Sequence, residues 1–261
     1  MSAQPAALPF ESSASIARMP VARGGGGPLR KSEVVDALEL AELGSIAERF
    51  EALIRLGETL ARGRGASQIC PTLLHRLENP ELSRDERRAI IWALAQAQSR
   101  KLLTRFRRRL LDKEPLIATD AAFYVGCARD NQSPNLLALM VLRHRDPPSV
   151  RTALWALGNI GGEEAVLTLV MILEQRVYET ECIAALGQAG DITVARKLAP
   201  YVMDLVRSNR LHALHSIALI AERENGLGAE LAAILLPQLD GMVRGPDRTE
   251  GQLARALKRA M

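Results

Sequence analysis

The chain has 261 residues, of which 48% are hydrophobic and 25% are charged, an ordinary composition for a globular protein. Aromatic residues make up only 3%, and alanine and leucine dominate the apolar side chains, which favours helices over strands. The formal net charge is +4, but residues 84–113 hold ten Lys and Arg residues against three acidic ones. This distribution predicts one basic zone rather than a uniformly basic surface.

Two further features of the composition indicate in which cellular compartment the protein is expected. No apolar run approaches the roughly 18 residues needed to cross a bilayer, so we expect no transmembrane segment. The three cysteines, Cys70, Cys127 and Cys182, are far apart and show no metal-ligand spacing. We therefore predict reduced, helix-packing thiols and a cytoplasmic protein, with no disulfide framework and no zinc site.

Residues 1–31 are rich in Pro, Ala, Ser and Gly, and they have no periodic apolar face. The run Gly24 to Gly27 followed by Pro28 is typical of a flexible tether. We predict a disordered N-terminal tether over 1–31 and a folded region over 32–261. The shortage of acidic residues also resembles an organellar transit peptide, so the choice between a linker and a targeting signal stays open.

From Ser32 onward the pattern is helical, and no segment alternates with the period of two typical of strands. Capping-box sequences predict helix starts at three places: Ser45/Glu48, Ser83/Glu86 and Thr249/Gln252. Pro134 suits the first turn of another helix.

One hydrophobic column recurs at intervals of 29 to 38 residues, at Leu56, Leu94, Val125, Leu157, Leu186 and Ile217. A second apolar pattern follows these segments, so each unit is expected to be two short helices that cannot bury their apolar faces alone. We predict an all-α, right-handed α-solenoid of about six helical pairs over roughly 33–240, closed by a polar helix near 249–260.

The stretch DPPSVRTALWALGNIGG resembles the HEAT repeat, with an Asp-Pro turn, Val-Arg at the start of the second helix and then Ala-Leu-Gly. The matching residues are Asp146, Pro147, Val150, Arg151, Ala153, Ala156, Leu157 and Gly158. The period of about 30 residues is similar to the short HEAT-like class found also in phycobilin lyases. This resemblance implies that the second helix of each pair lines the concave side, whose exposed face is the default binding surface.

Both tryptophans of the chain fall in one repeat column, and both follow an arginine by four residues. At 100° per residue, Trp155 lies nearly opposite Leu157, so we expect it to face the concave groove rather than the packed side. Trp and Arg are frequent binding anchors. We predict a partner-binding strip on the second helices made of Arg88, Trp92, Phe123, Arg151, Trp155, Asn159, Gln188 and His215. The alternative, that the aromatic side chains only pack between repeats, stays open.

The segment RKLLTRFRRRLLDK predicts a basic amphipathic helix on the convex side. Leu103, Phe106 and Leu110 form its expected apolar stripe. Lys101, Arg105, Arg108 and Arg109 face away from that stripe. These cations are either a solvated face or a site for an acidic protein, a nucleic acid or an anionic membrane.

We predict no catalytic residue, no metal ligand and no cofactor, because no sequence motif of these classes is present. His212 and His215 lack a carboxylate at a useful offset. The favoured function is a non-enzymatic scaffold or adaptor that binds a protein segment, an acidic one among the options. The alternative is a nucleic-acid-binding protein similar to the HEAT-like alkylpurine DNA glycosylases. A lyase activity, by analogy with the short repeats, has no residue in the sequence that carries it.

Overall fold

Residues 28–144 and 146–261 are described in a computed structural model. These residues form fourteen α-helices and no strand; the helices are α1 (Lys31–Leu43), α2 (Ile46–Ala61), α3 (Ala66–Arg76), α4 (Arg84–Ala95), α5 (Arg100–Arg109), α6 (Pro115–Cys127), α7 (Pro134–Arg143), α8 (Pro147–Ile160), α9 (Gly162–Glu174), α10 (Glu179–Ala189), α11 (Ile192–Leu198), α12 (Arg207–Glu224), α13 (Ala229–Arg244) and α14 (Arg248–Ala260). A 3-10 helix, Ala199–Met203, connects α11 to α12. The predicted all-α class is confirmed, and none of the described helices is long and apolar enough to cross a membrane.

The chain divides into two compact units, with the boundary between Leu102 and Leu103 inside α5. In the first unit α1 packs on α2, α2 packs on α4, and α3 contacts all three of these helices. In the second unit α6, α8, α10, α12 and α14 each contact the next member of that series, which we call the second-helix layer. The helices α7, α9, α11 and α13 each pack on the second helix that follows them and form the first-helix layer.

The recurring hydrophobic column is the centre of these pairs. Its six members, Leu56, Leu94, Val125, Leu157, Leu186 and Ile217, have no exposed surface. Each lies on the second helix of a pair, which confirms the repeat deduced from their spacing. The spacing therefore locates the helices that carry the core.

The C-terminal end differs from the expectation. The polar helix α14 is not a lone closing element, because it packs on both α12 and α13 and completes a further helical pair. Its start also differs, since Asp247 rather than Thr249 is the cap and accepts hydrogen bonds from the amides of Thr249 and Glu250. The other two capping boxes are present at Ser45 and Ser83.

At the N-terminal end, the folded region includes residues that the sequence analysis assigned to the tether. Leu29 is buried, and its amide donates a hydrogen bond to Oγ1 of Thr59 on α2 (3.3 Å). The last few residues assigned to the tether are therefore part of the folded unit. The rest of the predicted tether, residues 1–27, lies outside the described residues.

Candidate functional site

Adjacent helices of the second-helix layer approach closely because small residues face each other where they cross. A Cβ built on Gly158 would lie 3.0 Å from the Cα of Ala185. A Cβ on Gly187 would lie only 2.7 Å from the Cα of Ser216. Both glycines directly follow the buried column residue, so each crossing repeats the one before it. The layer has a tight backbone spacing, and larger side chains are placed at its rims.

Trp155 fills the equivalent crossing between α6 and α8. A Cβ on Gly126 would lie 2.7 Å from Cζ3 of Trp155, so the indole occupies the space above this glycine. The indole also stacks on the ring of Phe123, with centroids 5.0 Å apart and planes 25° apart. Trp155 remains half-buried. It therefore packs between two repeats and remains partly accessible.

Phe123 requires a correction to the predicted strip. Its side chain is only 3% exposed, so it supports Trp155 from below and does not itself present a binding surface. Its neighbour Tyr124 is also fully buried and stacks on Phe106 of α5, with ring centroids 4.0 Å apart.

Trp92 repeats the arrangement of Trp155 inside the first unit. A Cβ on Gly57 of α2 would lie 2.6 Å from Cζ3 of Trp92 on α4. Trp92 and Arg88, one turn before it, are both half-buried. Each tryptophan therefore lies on the glycine of the preceding second helix, a relation that the column alignment alone did not reveal.

Arg151 lies one turn before Trp155 and extends towards the next repeat. Its Nε lies 3.1 Å from Oε1 of Glu181 on α10, and nearly half of its side chain is exposed. The first unit contains a comparable contact, in which Arg49 of α2 pairs with Glu86 of α4 at 2.8 Å. Pairs of this kind neutralise the arginines along the starts of the second helices, so the surface beside Trp155 is not strongly basic.

Asn159, Gln188 and His215 occupy three consecutive second helices. Nδ2 of Asn159 donates to the carbonyl of Gly126 at 2.8 Å, which ties the end of α8 to the end of α6. Gln188 is exposed on α10. His215 on α12 is half-buried, and burial, together with the nearby His212, lowers its pKa. The structure thus places Trp155 and Asn159 together, with Gln188 and His215 further along the same layer.

The basic helix α5 is amphipathic, but its buried stripe differs by one residue from the prediction. Phe106 and Leu110 are buried as expected, whereas Leu102 is buried and Leu103 only half-buried. Spacings of four residues explain this, because Leu102, Phe106 and Leu110 are successive i, i+4 positions.

The cations of α5 do not all face solvent. Lys101, Arg108 and Arg109 are exposed, and Arg105 is half-buried. Arg107, which the sequence did not single out, forms a two-pronged contact with the carboxylate of Asp130. Burial raises the pKa of Asp130, but hydrogen bonds from Arg107 and Ser133 outweigh it and leave the pKa lowered. Arg107 is therefore structural, and Lys101, Arg108 and Arg109 provide the exposed charge.

The structure gives no support for a metal site: among the described residues, no three His, Cys, Asp or Glu side chains come together in an arrangement that could hold an ion. Cys182 is buried, and burial first, then the charges of Glu181 and Glu179, raise its pKa to about 12. Cys182 is thus a protonated packing residue at neutral pH.

Comparisons with known proteins concern the repeat. Residues 150–175, which cover most of α8 and all of α9, match the family model of the PBS lyase HEAT-like repeat. No curated protein sequence matches the chain.

The complex of CpcE and CpcF of phycocyanin lyase from Nostoc sp. aligns with 17% identity over 92% of this chain and 97% of that chain, with a TM-score of 0.46. Human deoxyhypusine hydroxylase in complex with glycerol aligns with 18% identity over 96% and 88% of the two chains, with a TM-score of 0.37. A computationally designed armadillo repeat protein for modular peptide recognition aligns with 16% identity over 87% and 99%, with a TM-score of 0.31. The family match confirms the HEAT-like resemblance of the segment that carries Arg151 and Trp155.

Proposed function

We propose that this protein is a non-enzymatic adaptor that binds a segment of a partner protein on the exposed face of its second helices. One observation carries the proposal: Trp155 is held in place by Phe123 and Gly126, yet it stays partly accessible. An aromatic side chain held rigid before binding loses little conformational entropy when a partner covers it. Trp92, seated on Gly57 in the same way, is the corresponding anchor of the first unit.

The charges around Trp155 favour a protein segment over a nucleic acid. Binding to phosphates depends on several uncompensated cations, whereas Arg151 is paired with Glu181. A peptide can bind beside the pair of Arg151 and Glu181, because its polar groups can hydrogen bond to either side chain while an apolar residue covers the indole. Nucleic-acid binding similar to that of the alkylpurine DNA glycosylases remains the alternative, and salt dependence separates the two.

The exposed cations Lys101, Arg108 and Arg109 on α5, together with Arg105, provide a second contact in this proposal, for an acidic region of the same partner. The three cysteines are free thiols, which supports a role in a reducing compartment such as the cytoplasm. We expect a variant carrying Arg108→Gln and Arg109→Gln to keep the wild-type melting temperature, because neither side chain is buried. Its affinity for an acidic partner should fall.

The decisive experiment follows Trp155 itself. Partners are first recovered with the full chain and identified by mass spectrometry, and the strongest is then purified and titrated. In a Trp92→Phe variant, Trp155 is the single remaining tryptophan. We expect saturation by the partner to shift its emission and to protect it from quenching by acrylamide.

A matched pair of arginine variants serves as the control. Arg151 and Arg196 both form exposed ion pairs with a glutamate of a neighbouring helix, but Arg196 lies in the first-helix layer. Arg151→Ala should weaken the partner's affinity, and Arg196→Ala should leave it unchanged. Unaltered Trp155 fluorescence at saturation would contradict the proposal. A loss of affinity of roughly 10³-fold between 50 and 200 mM salt would favour nucleic acid instead.

A further inference from the structure

The helices α7 and α9 lie side by side in the first-helix layer and run parallel. They contact each other directly, and Nδ2 of Asn135 at the start of α7 donates to Oε1 of Glu164 at the start of α9 (2.8 Å). This hydrogen bond joins residues of the first turns, so the two helices are also in register. Positions at equal distances from Asn135 and Glu164 lie at equal heights along the pair.

Both helices expose large apolar side chains on their outer faces. Leu139 and Leu142 of α7 are 41% and 63% exposed, and Leu167 and Met171 of α9 are 56% and 63% exposed. The opposite sides of both helices are buried in the unit in the usual way. Four such residues on two contacting helices form a continuous apolar surface, which we call the α7–α9 face. Surfaces of this kind mark sites of association.

The charges of the two helices are opposite in sign. Arg143, in the last turn, is the one charged residue of α7. The charged residues of α9 are all acidic: Glu163 and Glu164 in the first turn and Glu174 at the end. An acidic partner helix would be repelled by α9, and a uniformly basic one would be attracted to α9 but would meet Arg143 on α7, so a partner with charges of both signs suits the two helices best. A surface made of one α7 and one α9 is complementary to another copy of itself.

We propose that the α7–α9 face is the interface of a homodimer with a two-fold axis parallel to these helices. This symmetry places α7 of each copy on α9 of the other, with equal heights facing each other. Leu142 lies seven residues after Asn135, and Met171 lies seven residues after Glu164, so these two side chains meet across the interface. Leu139 lies four residues after Asn135 and Leu167 lies three after Glu164, so these two side chains differ in height by only about 1.5 Å and also meet. The contacts occur twice by symmetry.

Arg143 lies eight residues after Asn135 and Glu174 lies ten after Glu164, so the same register leaves Arg143 of one copy about 3 Å in height from Glu174 of the other, within reach of two long side chains. An antiparallel dimer would instead place α9 on α9 and bring Glu163 opposite Glu174, which is repulsive. Charge arrangement of this kind determines orientation more than affinity. The proposed dimer is independent of the adaptor function, because it uses the first-helix layer and leaves the second-helix layer free.

Sedimentation velocity of the full chain over a range of concentrations tests the proposal. We expect the wild type to dimerise and Leu142→Gln to shift the equilibrium to monomer. The control is Ile234→Gln, since Ile234 is a comparably exposed residue of α13 in the same layer (54%), and it should dimerise like the wild type. Circular dichroism should be unchanged in all variants, because every substituted side chain is exposed.

A charge reversal gives the sharper test of orientation. Arg143→Glu should raise the dimer dissociation constant by about 10-fold, a size typical of a lost charge pair followed by repulsion. Adding Glu174→Arg should restore it to within a few-fold of the wild-type value. A wild type that stays monomeric, equal dissociation of Ile234→Gln, or failure of the double variant to recover would each overturn the proposed dimer.

Discussion

The close crossing of α10 and α12 leads to a quantitative prediction for Gly187→Ala. The new Cβ would lie 2.7 Å from the Cα of Ser216 and closer still to its side chain, whose hydroxyl donates to the carbonyl of Ile183 at 2.9 Å. Because the obstacle includes backbone, a rotamer change cannot relieve it and the helices must separate. Overpacking of this kind costs about 1–3 kcal/mol, and disturbing the Ser216 hydrogen bond costs about 1 kcal/mol more.

One effect works in the opposite direction. Alanine is favoured over glycine inside a helix by about 1 kcal/mol. We therefore expect Gly187→Ala to lower the free energy of unfolding by about 1–3 kcal/mol. The matched control is Gly241→Ala in α13, where a Cβ would meet no atom within 4 Å. This variant should be stabilised by about 0.5–1 kcal/mol, since the helix gains without a clash.

Urea unfolding followed by circular dichroism measures both variants under the same conditions. Opposite signs for the two substitutions would support the close crossing, since their intrinsic helix effect is the same. A Gly187→Ala variant as stable as Gly241→Ala would refute it, because α10 and α12 would then have room for a methyl group.

Four further predictions concern single side chains. Trp155→Ala should lower the free energy of unfolding by about 3 kcal/mol, because the change removes roughly 100 Å² of buried surface and the stack on Phe123. Trp155→Phe should lower it by less than half as much in the same unfolding assay. Cys182 should react with iodoacetamide at pH 8 only after unfolding, since burial holds its pKa at about 12; labelling in the native state would contradict its buried position. Arg107→Met should lower the free energy of unfolding by about 2–3 kcal/mol at pH 7, because it leaves the carboxylate of Asp130 buried without its cation. An unchanged free energy of unfolding would show the pair to be dispensable. His215 has a lowered pKa in the folded state, so stability should decline as the pH falls below about 6.5, the pKa of the unfolded chain; replacing it with Gln should reduce this decline.

The sequence was sufficient to locate six of the helical pairs, because a fully buried column residue recurs on their second helices. It did not indicate the further pair of α13 and α14, which carries no residue of this column. It was less informative about contacts between repeats. Gly187, which follows Leu186, lies inside α10 and allows Ser216 to approach, a contact that the repeat pattern does not predict. Nothing in a single helix indicates this contact, since it depends on a residue about 30 positions away.

The sequence was equally uninformative about how deeply individual side chains are buried. The periodicity correctly placed Leu157 and Trp155 on different sides of α8, but it could not show how much of Trp155 the preceding repeat covers. The predicted strip includes Phe123 together with Trp155, yet Phe123 is buried and stacks against the indole. In α5, likewise, both Leu102 and Leu103 could share a face with Phe106, at spacings of four and three residues. Leu102 is the one that is buried, and this choice depends on the neighbouring helices.

The packing of Trp155 is therefore compatible with its proposed role in recognition. A side chain that bridges α6 and α8 must lie at the rim of their crossing, because the centre is closed by Gly126 and Ala156. At the rim Trp155 remains partly accessible, and the rest of it is held by contacts that belong to the fold. An alanine variant would remove both roles at once, so loss of binding in Trp155→Ala cannot distinguish a lost anchor from a loosened repeat. Arg151→Ala leaves the stack of Trp155 on Phe123 in place and removes a half-exposed guanidinium paired with Glu181. Its binding defect, measured beside its free energy of unfolding, therefore tests recognition.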